Sequence, residues 1–371
     1  MKRKKVVRRF LLVIISALVG FAGYSAFKII TEKLPTSEIN MARESLALAK
    51  KNGAANYASE KLKDAEKLYQ AAMQEWEFQN ERFFWVRDFS MARELASKSL
   101  ALSSDAKQQT SLEKSKVGQQ LKSAITEVER KIGKFESLFK NLPLERKTFD
   151  LYNQGKMDYL EANNELKKND LVKASVLIEH ANEKLSKSEE LAQQKIENFY
   201  KNYPNWMKNA QLAQQLSKKG QLVILVNKME SKCTLLKSGK AIKVFSAEFG
   251  SNWMADKRMK GDKSTPEGVY KITEKKKGIK TKYHKALLLN YPNDEDFARF
   301  ELLKKKGTIP RTAQIGGLIE IHGDGGKGIH WTDGCIALQN KEIDQLYDLC
   351  STGTPVIIIG SDKTLQEYMA Q

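Results

Sequence analysis

The sequence predicts a two-part protein: a membrane helix and an all-α region, followed by a mostly β domain. Three observations predict it. A charge-free apolar run fills residues 10–27 behind a basic N-terminus, helical periodicity then continues to about residue 218, and from Gly220 the pattern changes to short β-branched runs between turn residues. The expected segments are a basic tail and transmembrane anchor over 1–34, a helical extracytoplasmic spacer or interaction region over 35–218, a mostly β domain over 219–361 and a C-terminal tail over 362–371.

Six of the first nine residues are basic: Lys2, Arg3, Lys4, Lys5, Arg8 and Arg9. The 18 uncharged residues from Phe10 to Phe27 come close to the about 20 that a helix needs to span a bilayer. Lys28 interrupts the run, and Ile29 and Ile30 extend it, giving an anchor over residues 10–30. The positive flank belongs in the cytoplasm, so a single pass puts the rest of the chain outside. The rival reading is a cleaved signal peptide, for which Ser25 and Ala26 are small enough; the apolar run is long for that purpose.

The net charge of +18 over 371 residues suits a polyanionic neighbour such as nucleic acid, anionic lipid or an acidic wall polymer. Neither zinc-finger spacing nor arginine–aromatic interleaving is present, so nucleic acid is not an expected partner. Three cysteines, Cys233, Cys335 and Cys350, do not make a disulfide framework. Cys233 and Cys350 read as small buried hydrophobes.

Within the helical region, Leu62, Ala65, Tyr69, Ala72 and Trp76 fall on one helical face. Asn52-Gly53 ends the preceding helix. Leu121, Ile125, Val128, Ile132, Phe135 and Phe139 alternate spacings of four and three, a coiled-coil-like seam. Pro143 and Gly155 punctuate the stretch after this seam, and Tyr203-Pro204 closes a helix expected from Asp170 to Tyr200. Met41-Ala42-Arg43-Glu44 recurs as Met91-Ala92-Arg93-Glu94, which hints at repeated helical hairpins. His180 reads as structural. The region reads as a spacer or as a docking surface for a wall-synthesis partner.

Strands are expected over 221–227, 233–236, 241–249, 268–273, 286–290, 318–321 and 356–359, with a helix over 340–349. Chemistry concentrates between Ile321 and Leu338. His322 ends a strand and enters a glycine-rich loop, and thirteen residues later Cys335 follows Gly334. A thiol is mostly protonated at neutral pH, so a nucleophilic cysteine needs a neighbouring imidazole to take its proton and return it to a leaving amine. Backbone N–H groups at Gly334 and Cys335 are candidate oxyanion donors. One histidine and one cysteine at this spacing are weak evidence alone. A zinc site of His322, Asp324 and His330 is conceivable but leaves the Gly-Cys element without a role.

These residues resemble the catalytic domain of the L,D-transpeptidases, the YkuD domain. The resemblance rests on His322-Gly323, on Thr332-Asp333-Gly334-Cys335, and on Gly261-Asp262 with Thr265-Pro266-Glu267-Gly268 before a strand. Tyr291-Pro292-Asn293, Asp296, Arg299 and Gly353-Thr354-Pro355 fit the branch that carries Trp-Thr-Asp-Gly-Cys. The likeness spans 219–361 and says nothing of residues 31–218. It implies a β-rich fold and a cysteine acyl-enzyme. Cys335 would attack the carbonyl of the third residue of a peptidoglycan stem tetrapeptide, expel D-alanine and pass the acyl group to an amine, forming a 3→3 cross-link. It implies His322 as general base and acid, Gly334 in the oxyanion site, Gly323, Thr332, Asp333 and His330 as substrate-binding or loop-shaping residues, and no metal or organic cofactor.

The chain departs from the family pattern in three places. Asp333 stands where many members have histidine, Ala337 where many have arginine, and His330 where aspartate often precedes the tryptophan. His330 could be a second substrate contact, another base or a surface residue, and the surface reading comes first. Two other functions stay open: a hydrolase, carboxypeptidase or amidase, on the same scaffold, and a non-catalytic wall-binding module.

Overall fold

The structure, a computed structural model, describes residues 2–31 and 33–370. The side chains of Lys2, Arg3, Lys4, Ile29 and Ile30, part of the expected basic flank and anchor, lie outside the described residues, as does Gln371. Helices α1 (Lys2–Thr31), α2 (Thr36–Lys51), α3 (Ala54–Tyr57), α4 (Ser59–Glu81), α5 (Ser90–Lys134), α6 (Arg146–Lys167), α7 (Leu171–Tyr200) and α8 (Tyr203–Lys218) precede the first strand. The chain forms two compact units, Met1–Thr126 with Tyr159–Glu179, and Glu127–Asp158 with His180–Gln371. They do not coincide with the segments expected at 35–218 and 219–361, because α5, α6 and α7 each contribute to both.

The first unit is helical. Among the described residues, α1 holds the one stretch long and apolar enough to cross a membrane, Lys5–Lys28, with a mean hydropathy of 2.2. The helices after it pack through alanine: Ala42, Ala49, Ala65, Ala72, Ala96 and Ala106 are fully buried. Such small side chains let helix backbones approach closely enough for Ser99 Oγ to donate to the Ala65 carbonyl at 2.7 Å. Gly53 turns the chain after α2 with φ of 91°, as its sequence predicted.

The second unit is built on an eight-stranded sheet. Its strands are β1 (Val223–Asn227), β2 (Lys232–Lys237), β3 (Lys240–Ser246), β4 (Gly268–Lys277), β5 (Lys285–Leu289), β6 (Glu320–His322), β7 (Ile336–Ala337) and β8 (Pro355–Ile359), in the order β3-β2-β1-β8-β4-β5-β6-β7. β1 pairs with β8 in parallel, as does β6 with β7. The near-continuous apolar runs of β1 and β8 suit these central places, where both faces are covered. Helices α9 (Asp294–Lys305), α10 (Asn340–Leu349) and α11 (Leu365–Met369) complete the unit. The sequence reading missed α9, whose start is fixed by a capping box of Asn293 and Asp296. The expected C-terminal tail is not free: Tyr368 donates to the Leu138 carbonyl at 2.7 Å.

Two punctuation marks were misread. Tyr203-Pro204 opens α8 rather than only closing the helix before it, since proline fits the first helical turn. Gly155 lies inside α6, where a Cβ would come within 2.8 Å of Leu185 Cγ; it marks a close helix approach, not a break. His180 is exposed.

Helix α8 docks on the sheet through Trp206, which is 1% exposed and lies against Gly360, where a Cβ would come within 2.2 Å of the indole. Its Nε1 donates to Glu267 Oε2 at 2.6 Å, and Asn202 Nδ2 donates to the same oxygen at 2.8 Å. The other oxygen, Glu267 Oε1, pairs at 2.7 Å with Lys228, which is wholly buried. Lys228 Nζ also donates to the Ala255 and Thr265 carbonyls, at 3.0 and 3.2 Å.

Removing one member of such a pair strands a charge in the interior. Glu267→Ala is expected to destabilise the second unit by about 3–5 kcal/mol. The double variant Glu267→Leu/Lys228→Met is expected to recover part of that loss, the rest being the cost of leaving the buried Trp206 Nε1 without its acceptor. Thermal unfolding followed by near-UV circular dichroism checks this; a single variant that melts with the parent would contradict it.

Candidate functional site

The site starts from strand register. In the β6–β7 pair, Ile321 lies opposite Ile336 and His322 opposite Ala337. Cys335, the residue before β7, is thereby brought back beside the strand that ends in His322. Tyr283 faces both groups: its ring stacks on the imidazole with centroids 3.5 Å apart and planes 7° apart, and the Cys335 charge is among the causes that raise its pKa, after burial.

His322 is fully buried. Nδ1 lies 2.6 Å from the Gly323 carbonyl oxygen. A carbonyl only accepts, so Nδ1 carries the hydrogen and Nε2 presents a lone pair. Nε2 is buried and has no hydrogen-bond partner. Trp331 meets the ring edge-on at 6.0 Å. Burial lowers the imidazole pKa from its ordinary 6.5, although the Gly323 carbonyl, Glu320 and Asp324 act the other way. The ring therefore rests neutral at neutral pH.

Cys335 is partly buried, and its Sγ lies 3.6 Å from the Leu318 carbonyl oxygen. Burial pushes its pKa up to about 11, against the lowering influence of a Glu320 backbone hydrogen bond and of Lys257 and Lys282. At neutral pH the β6–β7 pair therefore carries a protonated thiol at one end and a neutral imidazole on the neighbouring strand.

The loop around the thiol is held by its own residues. Thr332 Oγ1 donates to the Cys335 carbonyl at 2.7 Å and accepts from the Gly334 N–H at 3.2 Å. The Gly334 N–H expected at an oxyanion is thus already engaged. Gly334 has φ of 132°, and a Cβ there would lie 2.6 Å from the Ser264 carbonyl oxygen, so no other residue fits. Gly323 packs where a Cβ would come within 2.5 Å of Asn340 Oδ1, which accepts from the Asp324 N–H. Asp333 is exposed.

His330 corrects an expectation. It is no free surface residue: it stacks on Phe249 at 5.3 Å, and its Nδ1 accepts from the Phe249 N–H at 3.0 Å. These contacts tie the loop at His330 to Phe249. Among the described residues no cluster of three metal-ligating side chains occurs, and His322, Asp324 and His330 do not converge.

Sequence reasoning missed several neighbours. Glu248 accepts from Trp331 Nε1 and the Gly328 N–H, both at 2.7 Å, and so hangs the glycine-rich loop from the strand side. Asp262 accepts from the Arg258, Met259 and Ser264 N–H groups and pairs with the buried Lys257 at 2.9 Å. The Gly261-Asp262 motif was legible; its partners were not, and no spacing signal marks Tyr283 or Glu248. A cleft of about 750 Å³ lined by Asn202, Trp206, Asp256 and Arg299 contains neither Cys335 nor His322.

Residues 221–358 match the family model of the L,D-transpeptidase catalytic domain, YkuD. No curated protein matches the chain. Similar solved structures include an L,D-transpeptidase from Xylanimonas cellulosilytica, 13% identical with a TM-score of 0.26, over 38% of this chain and 61% of that one. L,D-transpeptidases from Mycobacterium smegmatis (14%, TM-score 0.26, 38% and 59%) and Enterococcus faecium (14%, TM-score 0.25, 38% and 50%) are also among them. The chain spans less than two thirds of the length of these structures.

The two pKa directions set the pH window. A thiol raised from 9.0 to about 11 favours the fold below pH 9, and that contribution is lost as pH rises through 11. An imidazole lowered from 6.5 favours it above pH 6.5, and that contribution is lost as pH falls through the lowered value. Alkylation of Cys335 by iodoacetamide, mapped by peptide mass, is expected to keep accelerating from pH 9 towards 11. A plateau by pH 8 would contradict the neutral resting pair.

Proposed function

We propose that this protein is a membrane-anchored peptidoglycan L,D-transpeptidase, with its catalytic domain over 219–361, Cys335 as nucleophile and His322 as general base and acid. The observation that carries the reading is the buried, unpartnered Nε2 lone pair of His322 on the strand beside the cysteine. Burying such a group without a partner is costly, so its retention fits a proton acceptor in use.

The thiol approaches the carbonyl of the third stem residue. As the C–S bond forms, the Sγ proton passes to His322 Nε2, and the carbonyl oxygen takes the electron pair. Since the resting pair is neutral, the proton moves with the attack and not before it. Collapse breaks the C–N bond, and the imidazolium returns its proton to the departing D-alanine amine. A second stem's amine then attacks the thioester; its proton passes through His322 to the Cys335 sulfur as the thiol leaves. The Cys335 amide is the candidate oxyanion donor. The Gly334 N–H would join only by releasing Thr332. Thr332, Gly323 and His330 shape the loop, and Asp333 is placed to meet solvent or substrate.

The anchor reading rests on Lys5–Lys28 and its basic flank, which support a catalytic domain on the extracytoplasmic side. The helical region over 35–218 serves as spacer or partner surface, while α8 stays with the catalytic domain through Trp206. The surplus of positive charge suits an anionic wall.

The test is mass spectrometry of the full-length protein in nanodiscs with a disaccharide-tetrapeptide. An acyl adduct on Cys335, loss of D-alanine and a 3→3 dimer are expected. Cys335→Ala abolishes all three, and His322→Ala slows turnover by about 10²–10⁴-fold. Tripeptide without dimer would replace transfer by hydrolysis, and activity surviving Cys335→Ala would end the thiol reading.

A further inference from the structure

Between α4 and α5, in the first unit, the chain runs Arg82-Phe83-Phe84-Trp85-Val86-Arg87. Four apolar residues between two arginines form the tip of a helical hairpin, where polar turn residues are the rule. Phe83 is 62% exposed and Val86 52%, an apolar surface that water does not favour. The three rings cluster, with centroids 4.9–5.1 Å apart.

The tip is attached to the apolar helix. Trp85 meets Phe21 edge-on at 4.1 Å and donates from Nε1 to Ser25 Oγ at 3.1 Å. Lys28 Nζ donates to the Trp85 carbonyl. Phe21, Ser25 and Lys28 follow one another by four and three residues on one face of α1, at the C-terminal end of Lys5–Lys28. At about 1.5 Å per residue, Phe21 lies about 10 Å inside Lys28 along the helix. With Lys28 at the outer edge of the headgroups, Phe21 then lies just inside the interfacial layer of about 5–7 Å, next to the level where tryptophan is favoured.

The flanking cations fit the same place. Arg82 donates to Gln79, and Arg87 to the carbonyls of Arg82 and Asn80. A guanidinium has five N–H donors, more than these bonds use, and it matches phosphate geometry.

We infer that the 82–87 tip is a second membrane contact, with Phe83, Phe84, Trp85 and Val86 seated at the headgroup level beside the end of α1 and with Arg82 and Arg87 on lipid phosphates. The inference rests on Lys5–Lys28 crossing the bilayer, and it is independent of the catalytic chemistry. Two anchoring points on one helical unit restrict its tilt and rotation about α1, which a single helix would leave free.

Full-length protein in phosphatidylethanolamine–phosphatidylglycerol vesicles tests it, with lipids brominated at shallow or deep acyl positions. Shallow bromines are expected to quench a tryptophan component that Trp85→Phe lacks. The Phe83→Asp/Val86→Asp variant, with unchanged circular dichroism, is expected to lose most of that quenching. Equal quenching in parent and Trp85→Phe overturns the proposal, as does undiminished quenching in the aspartate variant, which would mean that α1 alone holds Trp85. Carbonate extraction separates the two premises: a retained protein without shallow quenching counts against the tip, and an extracted one against the span itself.

Discussion

The sheet-bearing unit of this protein depends on a lysine that solvent does not reach. Lys228 is buried on every side, and its charge is met by Glu267 at 2.7 Å and by two carbonyls. Burying such a pair gains little stability over an apolar one. Its effect here is geometric. Glu267 binds Trp206 and Asn202 from the helical side, while Lys228 holds the carbonyl of Thr265. Thr265 Oγ1 in turn accepts from the Gly250 N–H. Next to Gly250, Phe249 accepts from the Thr332 N–H and Ser251 donates to the Thr332 carbonyl. Thr332 grips the cysteine turn, so one buried charge pair aligns a docking helix with the loop that carries the thiol.

The site itself is built from apolar surroundings. Stacking by Tyr283 and the edge of Trp331 keep His322 from charging, and partial burial keeps Cys335 protonated. A neutral resting thiol resists stray oxidation and alkylation, which follow thiolate character. Under the proposed acyl transfer, reactivity would come from an incoming carbonyl, which would set a positioned substrate apart from a passing electrophile.

Much of this was legible in the sequence for physical reasons. Core strands such as β1 and β8 announce themselves by β-branched runs, and His322 and Cys335 by their side-chain chemistry between glycine-rich flanks. The 12-residue loop between them becomes meaningful once β6 and β7 pair in parallel, which no local pattern states. Helix α9 was missed because it buries little, chiefly Asp296 and Phe300, and so lacks a clear apolar stripe. His330, Glu248 and Tyr283 act through partners about 40–80 residues away, at separations where a single sequence carries no periodic signal. Gly155 was misread because a glycine that admits a neighbouring helix looks, in one dimension, like one that ends its own.

The strand order has a consequence for biogenesis. β8 lies between β1 and β4, yet it is the last strand in the chain. Until Pro355–Ile359 is available, β1–β3 and β4–β7 have no shared strand. The helices before residue 200 rely on nearby residues and can form as they emerge, while the sheet must wait for distant ones. The sheet that carries the candidate site is therefore closed by the most distant of its eight strands.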